Sequence, residues 1–195
     1  FGEIGCFSAH PLKNLNAVGD SGYLTTNSLK IANFIKDVRN HGMTNRNKVK
    51  NFGYVSRMDN LQAAILNFRL KSLKNIIKKR RENAKIYFKN LDKKYVFIPP
   101  EKEKEFNTYH TFVVQVSKRD KLKKYLLSRG IETSIHYPIP IHLQPAVKKL
   151  NYKFENLDQT EEQSKKIITL PIHQFLKNSE IKKICFEINN FYENK

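Results

Sequence analysis

Hydrophobic residues recur with helical spacing in four stretches of the chain. The first begins after Ser28 and has an apolar face formed by Leu29, Ile31, Ala32, Ile35 and Val38. A longer pattern over residues 61–90 predicts one helix or two, and Ser56 to Asp59 before it has the form of a capping box. Residues 120–129 predict a further helix. A closing helix, with Ser179 as its N-cap, is expected to bury one face formed by Ile181, Ile184, Cys185 and Ile188.

Shorter apolar or alternating segments between these helices predict β-strands. They are residues 4–8, 23–26, 95–98, 109–116, 131–135 and 167–170. The order strand, helix, strand over residues 109–135 indicates an α+β unit. Residues 43–53 are polar and basic, and residues 136–145 are rich in proline, so both segments are expected to be loops.

The composition favours an ordered globular chain and argues against a disordered chain and against a membrane-spanning one. With 195 residues, one domain or one plus a fraction is expected, and 11% aromatic residues argue against disorder. No apolar run approaches the roughly 20 residues that span a bilayer. The two cysteines do not form a disulfide framework and suit a reducing cytoplasm, and the six histidines form no metal-binding signature.

The strong positive charge raises the question of an anionic partner. Lys and Arg exceed Asp and Glu by 18, which would suit nucleic acid, a membrane surface or a phosphorylated ligand. The lysines are scattered, however, and the densest group, Lys78 to Arg81, lies in a helical stretch. A codon bias explains the scattered lysines, and a solvated helix face explains Lys78 to Arg81. A nucleic-acid-binding site is a poorer explanation, because such a site gathers its positive charge on one face of the protein.

Two segments carry residue types that are suited to chemistry. Lys13 follows a predicted strand within a turn that also holds Ser8 and His10. A lysine whose pKa is lowered can attack a carbonyl, although most loop lysines are simply solvated. Farther along, His136 and Tyr137 lie in the proline-rich loop, a kind of segment that often lines a site.

Five motifs together resemble the DegT/DnrJ-type (StrS-like) nucleotide-sugar aminotransferases. They are Phe7-Ser8-Ala9-His10-Pro11-Leu12-Lys13-Asn14-Leu15 with Gly19-Asp20-Ser21-Gly22, Arg39-Asn40-His41-Gly42, Ser56-Arg57-Met58-Asp59-Asn60-Leu61-Gln62-Ala63-Ala64, His136-Tyr137-Pro138 with His142-Leu143-Gln144-Pro145, and Leu170-Pro171-Ile172-His173. Each motif is modest alone, but all five occur in the family's order over the whole chain.

The resemblance implies an α/β protein of the pyridoxal phosphate fold type I. Residues 1–80 would be the end of the large domain and residues 81–195 a small α+β domain, with an N-terminal portion of the protein lying upstream of Phe1. That upstream portion would carry the aspartate that pairs with the cofactor's pyridinium nitrogen. A cytoplasmic homodimer with shared active sites is the expected assembly.

The resemblance also implies the reaction and its residues. A keto-sugar carried on a nucleoside diphosphate would receive an amino group, with glutamate as the donor and pyridoxal 5′-phosphate as the cofactor. Lys13 matches the lysine that forms the Schiff base, Ser8 matches a contact to the cofactor phosphate, and His10 lies beside the cofactor. His136 and Tyr137 match part of the sugar-nucleotide site. No metal is implied.

Three residues depart from the family pattern. Ala9 stands where a large aromatic residue is common in the family, and Ser21 stands where glycine is common. Val55 stands where many members place an asparagine that reaches the phosphate of the neighbouring subunit's cofactor. Val55 cannot make that hydrogen bond. A catalytically inactive family member that binds or regulates therefore remains an alternative, and a basic nucleic-acid-binding module is a weaker one, based on charge alone.

Overall fold

A computed structural model describes residues 2–150 and 154–194 of the chain. The chain divides into two units, residues 1–75 and residues 76–195. In the described ranges, no helix combines the length and the apolar character that crossing a membrane requires.

An antiparallel hairpin opens the first unit. Its strands are β1 (Gly5–Ser8) and β2 (Gly22–Thr25), which confirms the two strands predicted there. Helix α1 (Leu29–Val38) follows, and the Ser28 hydroxyl accepts a hydrogen bond from the backbone N–H of Ile31 at 3.3 Å. Ser28 therefore caps the first turn of the helix.

A second hairpin occupies part of the segment that the sequence predicted to be a loop, so that prediction over residues 43–53 was wrong. The strands are β3 (Met43–Asn45) and β4 (Lys48–Val49). Their side chains are mostly exposed and polar, which removes the alternation that identifies a strand. Gly42 precedes the hairpin at φ +70°, and a Cβ there would lie 1.7 Å from the carbonyl oxygen of Asn51. Only glycine fits this turn.

Two helices follow where the sequence allowed one or two. They are α2 (Asn60–Leu70) and α3 (Leu73–Asn90). The predicted capping box was wrong, because Asp59 occupies the N-cap and makes no side-chain cap bond. Ser56 instead lies in an extended segment, where its N–H donates to the carbonyl of Arg39 at 2.9 Å.

The second unit contains a three-stranded antiparallel sheet of order β5-β6-β7. The strands are β5 (Val96–Phe97), β6 (Phe112–Val116) and β7 (Ile167–Leu170). Phe112, Val114 and Val116 of β6 are buried, while the residues between them are less so. This alternation confirms the predicted strand over residues 112–116, whereas residues 109–111 of that prediction lie outside β6.

The strand predicted over residues 131–135 was wrong. Helix α4 (Arg119–Ser128) ends in a Schellman motif, in which Gly130 at φ +72° is followed by Ile131, whose N–H donates to the carbonyl of Leu126 at 2.9 Å. Ile131 is buried as part of this helix end rather than as a strand residue. Within residues 131–135, Ser134 forms an isolated bridge with Thr169.

Short helices and a closing helix complete the second unit. After a 3₁₀ turn at Ile141–Leu143 come α5 (Pro145–Lys148), α6 (Asp158–Lys166) and α7 (Asn178–Glu193). The sequence did not predict α6, which has little apolar character. Ser179 is not the N-cap of α7 as predicted, because the N-cap is Lys177, two residues earlier. The Glu180 carboxylate accepts the N–H of Lys177 at 2.7 Å.

The main core lies in the second unit, between the sheet and helices α3, α4 and α7. The four α7 residues predicted to share a buried face are all buried: Ile181, Ile184, Cys185 and Ile188. Full burial of one such aliphatic side chain contributes roughly 1.5–3 kcal/mol. By contrast, the core cluster of the first unit contains only Ala9, Ala17 and Leu66 as buried members.

Candidate functional site

The turn that holds Lys13 connects β1 to β2. Two backbone bonds close its base, since the Ala9 N–H donates to the Ser21 carbonyl and the Ala17 N–H donates to the Ala9 carbonyl, both at 2.8 Å. Ala9 and Ala17 are fully buried there. Ala9, which departs from the family pattern, therefore packs inside the turn.

The structure brings Ser8, His10 and Lys13 together within this turn. The His10 N–H donates to the Ser8 hydroxyl at 3.4 Å, and the Lys13 N–H donates to the His10 carbonyl at 2.8 Å. The Lys13 side chain is partly buried, whereas Ser8 and His10 are exposed. Three candidate groups, an amine, an imidazole and a hydroxyl, thus share one short segment.

The imidazole of His10 has a polar neighbour at each ring nitrogen. Its Nδ1 accepts the N–H of Leu12 at 3.2 Å, and its Nε2 faces Oδ1 of Asp20 at 3.7 Å. A nitrogen that accepts a hydrogen bond carries no proton, so this arrangement places the ring proton on Nε2, toward the carboxylate. The ring is therefore oriented before any ligand arrives.

A cavity of about 1260 Å³ lies beside the hairpin in the first unit. Ser8 and Ser21 line it, and so do the basic side chains of Lys36, Arg39 and Arg57, with Asp20 as its one acidic lining residue among those described. Lys13 and His10 are not among its lining residues. The excess of basic groups favours an anionic ligand.

Ser21 contributes a further polar group at this cavity. Its side-chain oxygen is buried and has no hydrogen-bond partner in the described part of the chain. Buried hydroxyls are normally hydrogen-bonded, so an unpaired one indicates a place for a ligand or a water molecule. The substitution of Ser for the family's glycine thus adds a hydrogen-bonding group.

His136 and Tyr137 are neighbours in the second unit. Nδ1 of His136 lies 2.9 Å from the hydroxyl oxygen of Thr169, and the rings of His136 and Tyr137 meet edge to face with centroids 5.4 Å apart. Tyr137 is 73% exposed and available for contact with a ligand. Sequence reasoning missed Thr169, which it identified only as a strand residue.

His142 has a structural partner in the same unit. Its Nε2 lies 3.1 Å from Oε1 of Glu161, and its side chain is only 10% exposed. Glu161 belongs to α6, the helix that the sequence did not predict. This contact joins the proline-rich loop to α6 and explains His142 without a catalytic role.

Comparisons with known proteins agree on one family. The model of the DegT/DnrJ/EryC1/StrS aminotransferase family matches residues 1–189. The "Pleiotropic regulatory protein" of Geobacillus stearothermophilus is 34% identical over 197 residues, covering 98% of this chain and 53% of that protein. The dTDP-3-amino-3,6-dideoxy-alpha-D-galactopyranose transaminase of Aneurinibacillus thermoaerophilus is 33% identical over 190 residues, covering 97% of this chain and 52% of that protein.

A solved structure extends the likeness to three dimensions. NtdA from Bacillus subtilis, whose structure contains bound cofactor PMP, matches with a TM-score of 0.83 and 28% identity, over 96% of this chain and 46% of NtdA. The chain spans about half the length of the curated relatives it matches. The predicted fold-type-I α/β architecture is confirmed over that span. The chain therefore belongs to the DegT/DnrJ/EryC1/StrS aminotransferase family.

Proposed function

We propose that the protein containing this chain transfers an amino group to a keto-sugar carried on a nucleoside diphosphate, with pyridoxal phosphate as its cofactor. The observation that carries this proposal is the partly buried Lys13 in the turn between β1 and β2, hydrogen-bonded to the backbone of His10 beside Ser8. Two relatives support it: one is named a dTDP-sugar transaminase, and the other binds PMP, the aminated form of the cofactor.

The residues present fit such a cofactor. Its aldehyde requires a primary amine, which Lys13 supplies, and its phosphate requires hydroxyl and cationic groups. The buried, unpartnered oxygen of Ser21 and the exposed hydroxyl of Ser8 lie at a cavity lined by three basic side chains. When bound, pyridoxal phosphate supplies an electron sink that stabilises negative charge at the carbon bearing the amino group.

Lys13 has two tasks in this proposal. Its Nζ would hold the cofactor at rest, and this amine attacks a carbonyl carbon only in its neutral form. Once the incoming amine has displaced it, Nζ would act first as a general base, taking a proton from Cα of the amino donor. It would then act as a general acid, giving that proton to C4′ of the cofactor. The bond from its backbone N–H to the His10 carbonyl keeps Lys13 in the turn during both tasks.

His136 and Tyr137 are proposed to bind the sugar-nucleotide. The contact to Thr169 uses Nδ1 of His136, which leaves Nε2 for a sugar hydroxyl or a phosphate oxygen. The exposed ring of Tyr137 offers an apolar face to a sugar or a base. The net charge of +18 would attract the negatively charged diphosphate. Dissolved salt screens this attraction and so shortens its range.

The amino donor is proposed to be glutamate.

The assembly is proposed to be a homodimer with shared active sites. Several apolar side chains of the first unit are exposed, namely Phe52, Tyr54, Leu61 and Phe68. Exposed apolar side chains that adjoin one another mark a surface covered by another chain, and we propose that these four belong to such a surface. We also propose that residues 1–80 belong to the large domain and residues 81–195 to the small domain.

A second candidate is a family member that binds the cofactor without turnover and regulates another process. Val55 favours it, because its exposed side chain cannot reach a phosphate with a hydrogen bond. One relative at 34% identity carries the name of a regulatory protein. A nucleic-acid-binding module has only the net charge in its favour.

One experiment separates these candidates. The full-length protein is loaded with pyridoxal phosphate, mixed with glutamate, and assayed for 2-oxoglutarate, with Lys13→Ala and the exposed-lysine control Lys30→Ala in parallel. An aminotransferase releases one equivalent of 2-oxoglutarate per site, which Lys13→Ala abolishes and Lys30→Ala preserves. Cofactor binding with no release of the corresponding keto acid from glutamate or any of several other amino donors supports the regulatory candidate. Salt-sensitive DNA binding with no cofactor binding supports the nucleic-acid module.

A further inference from the structure

One face of helix α2 contacts the far end of the Lys13 turn. Gln62, Leu66 and Arg69 follow each other at spacings of four and three residues, which places them on the same side of the helix. Leu66 is buried, and Gln62 and Arg69 are partly buried. The face combines a polar, an apolar and a basic group.

Arg69 binds two carbonyl groups of the turn. Its Nη1 donates to the carbonyl of Asn16 at 2.8 Å and to that of Ala17 at 3.3 Å. The side chain of Asn16 in turn donates to the carbonyl of Pro11 at 2.6 Å. A continuous path of hydrogen bonds thus runs from α2 to a position two residues before Lys13.

Gln62 binds the turn at Val18, one residue beyond Ala17, which Arg69 contacts. Its Oε1 accepts the N–H of Val18 at 3.0 Å. Its amide group also lies close to Gly19, since a Cβ on Gly19 would be only 3.1 Å from Nε2 of Gln62. Such a contact is tighter than side chains normally make, so the absence of a side chain at Gly19 permits this close approach.

Leu66 fills the space between these two polar contacts. It packs with Ala9 and Ala17 into the small core of the first unit, against which Leu15 and Met58 are partly buried. The turn between β1 and β2 is irregular and would be mobile without such support, because ordering each backbone residue costs roughly 1–2 kcal/mol. The α2 face is therefore a main source of order for the turn.

We propose that Gln62 and Arg69 are positioning residues for Lys13, which they hold in place through the backbone of residues 16–18. This inference rests on the proposed function of Lys13 as the cofactor-holding amine. The amine must meet a carbonyl carbon from a defined direction, and a misplacement of about 1 Å can slow a reaction roughly 100-fold. Neither Gln62 nor Arg69 has to touch the cofactor to have this effect.

The test uses Arg69→Met and Gln62→Leu, which remove the hydrogen-bonding groups, with Arg69→Lys and Gln62→Glu as conservative variants. Lys71→Met is the matched control, because it removes a positive charge from an exposed residue just after the same helix. The first readout is the rate at which pyridoxal phosphate becomes attached to Lys13 in the full-length protein, trapped with borohydride and measured as the modified peptide. The second is amide hydrogen exchange of residues 10–18 in the cofactor-free protein.

We expect Arg69→Met and Gln62→Leu to slow attachment about 10- to 100-fold and to raise exchange across residues 10–18. The conservative variants should recover part of the rate, and Lys71→Met should match the wild type in both readouts. Unchanged attachment and exchange in Arg69→Met and Gln62→Leu would overturn the inference, as would equal slowing in Lys71→Met. If the wild-type protein attaches no cofactor at Lys13, the proposed function itself fails, which distinguishes that result from failure of the positioning role.

Discussion

The hydroxyl oxygen of Thr169 lies 2.9 Å from Nδ1 of His136. The two segments are also joined through their backbones, because Thr169 and Ser134 exchange hydrogen bonds of 2.7 and 3.2 Å. Thr169 is itself buried in β7. One strand residue therefore fixes both the path of the loop and the orientation of the imidazole at its start.

Removing the Thr169 hydroxyl should weaken binding of the sugar-nucleotide. In Thr169→Val the side-chain shape is nearly kept but Nδ1 of His136 loses its partner, so we expect KM for the sugar-nucleotide to rise about tenfold, the equivalent of one hydrogen bond. Thr169→Ser should restore the wild-type KM. Steady-state kinetics measures both, and equal KM values for the Val and Ser variants would contradict a role for the hydroxyl.

Restoring an amide at position 55 should strengthen cofactor binding. The resemblance implies that many family members place an asparagine where this chain has Val55, with its side chain toward the phosphate of the neighbouring subunit's cofactor. We expect Val55→Asn to lower the Kd for pyridoxal phosphate about 5- to 10-fold, because one hydrogen bond to a charged group is gained. Val55→Leu is the apolar control. Fluorescence titration measures the affinity, and identical values for both variants would argue against a shared site.

The carboxylate of Glu101 should make stability depend on pH. Its hydrogen bonds from Arg81 at 2.6 Å and from the N–H of Asn107 at 2.7 Å lower the pKa of Glu101 below its usual value of 4.5. The unfolded chain then binds more protons than the folded one, so this stabilisation is present above pH 4.5 and is lost as the pH falls through the lower folded pKa.

Glu101→Gln should remove this pH dependence. We expect the variant to lose about 1 kcal/mol of unfolding free energy at pH 7, since a neutral acceptor replaces a charged one, and to lose less stability than the wild type between pH 5 and pH 3. Urea unfolding at each pH measures both. Parallel pH profiles for the two proteins would contradict this account.

Cys185 should resist alkylation until the second unit unfolds. It is buried in the α7 face, and burial raises the pKa of its thiol to about 12, so almost no reactive thiolate exists at pH 8. In a Cys6→Ser background, iodoacetamide pulses along a urea gradient should label Cys185 only where the protein unfolds. Rapid labelling in the absence of urea would show that this core is open.

The hydrophobic pattern predicted the parts of the fold that bury apolar residues. The α7 face and strand β6 follow a periodicity that burial imposes, so both could be recognised from the sequence. The β3–β4 hairpin and helix α6 bury almost nothing, and their sequences therefore carry no such periodicity. Ile131 misled the prediction because a helix C-terminus can bury an isoleucine as effectively as a strand does.

For the candidate site, the sequence pointed only to the residues proposed to contact the cofactor, and not to the residues that hold them in place. Lys13, Ser8 and His10 lie close together along the chain, so local sequence was sufficient to group them. The partners that hold them are distant: Gln62 and Arg69 are 44 and 53 positions from their contacts at Val18 and Asn16. No local pattern reports a bond from a side chain to the backbone of a remote turn.

The proposal that Lys13 holds pyridoxal phosphate is tested by identifying the lysine to which the cofactor becomes attached. The full-length protein is incubated with pyridoxal phosphate, reduced with sodium borodeuteride and digested, and the modified peptide is sequenced by mass spectrometry. We expect a single deuterated pyridoxyl group on Lys13, absent from Lys13→Arg. A modification on a different lysine, or none in a protein that is folded and saturated with cofactor, would contradict it.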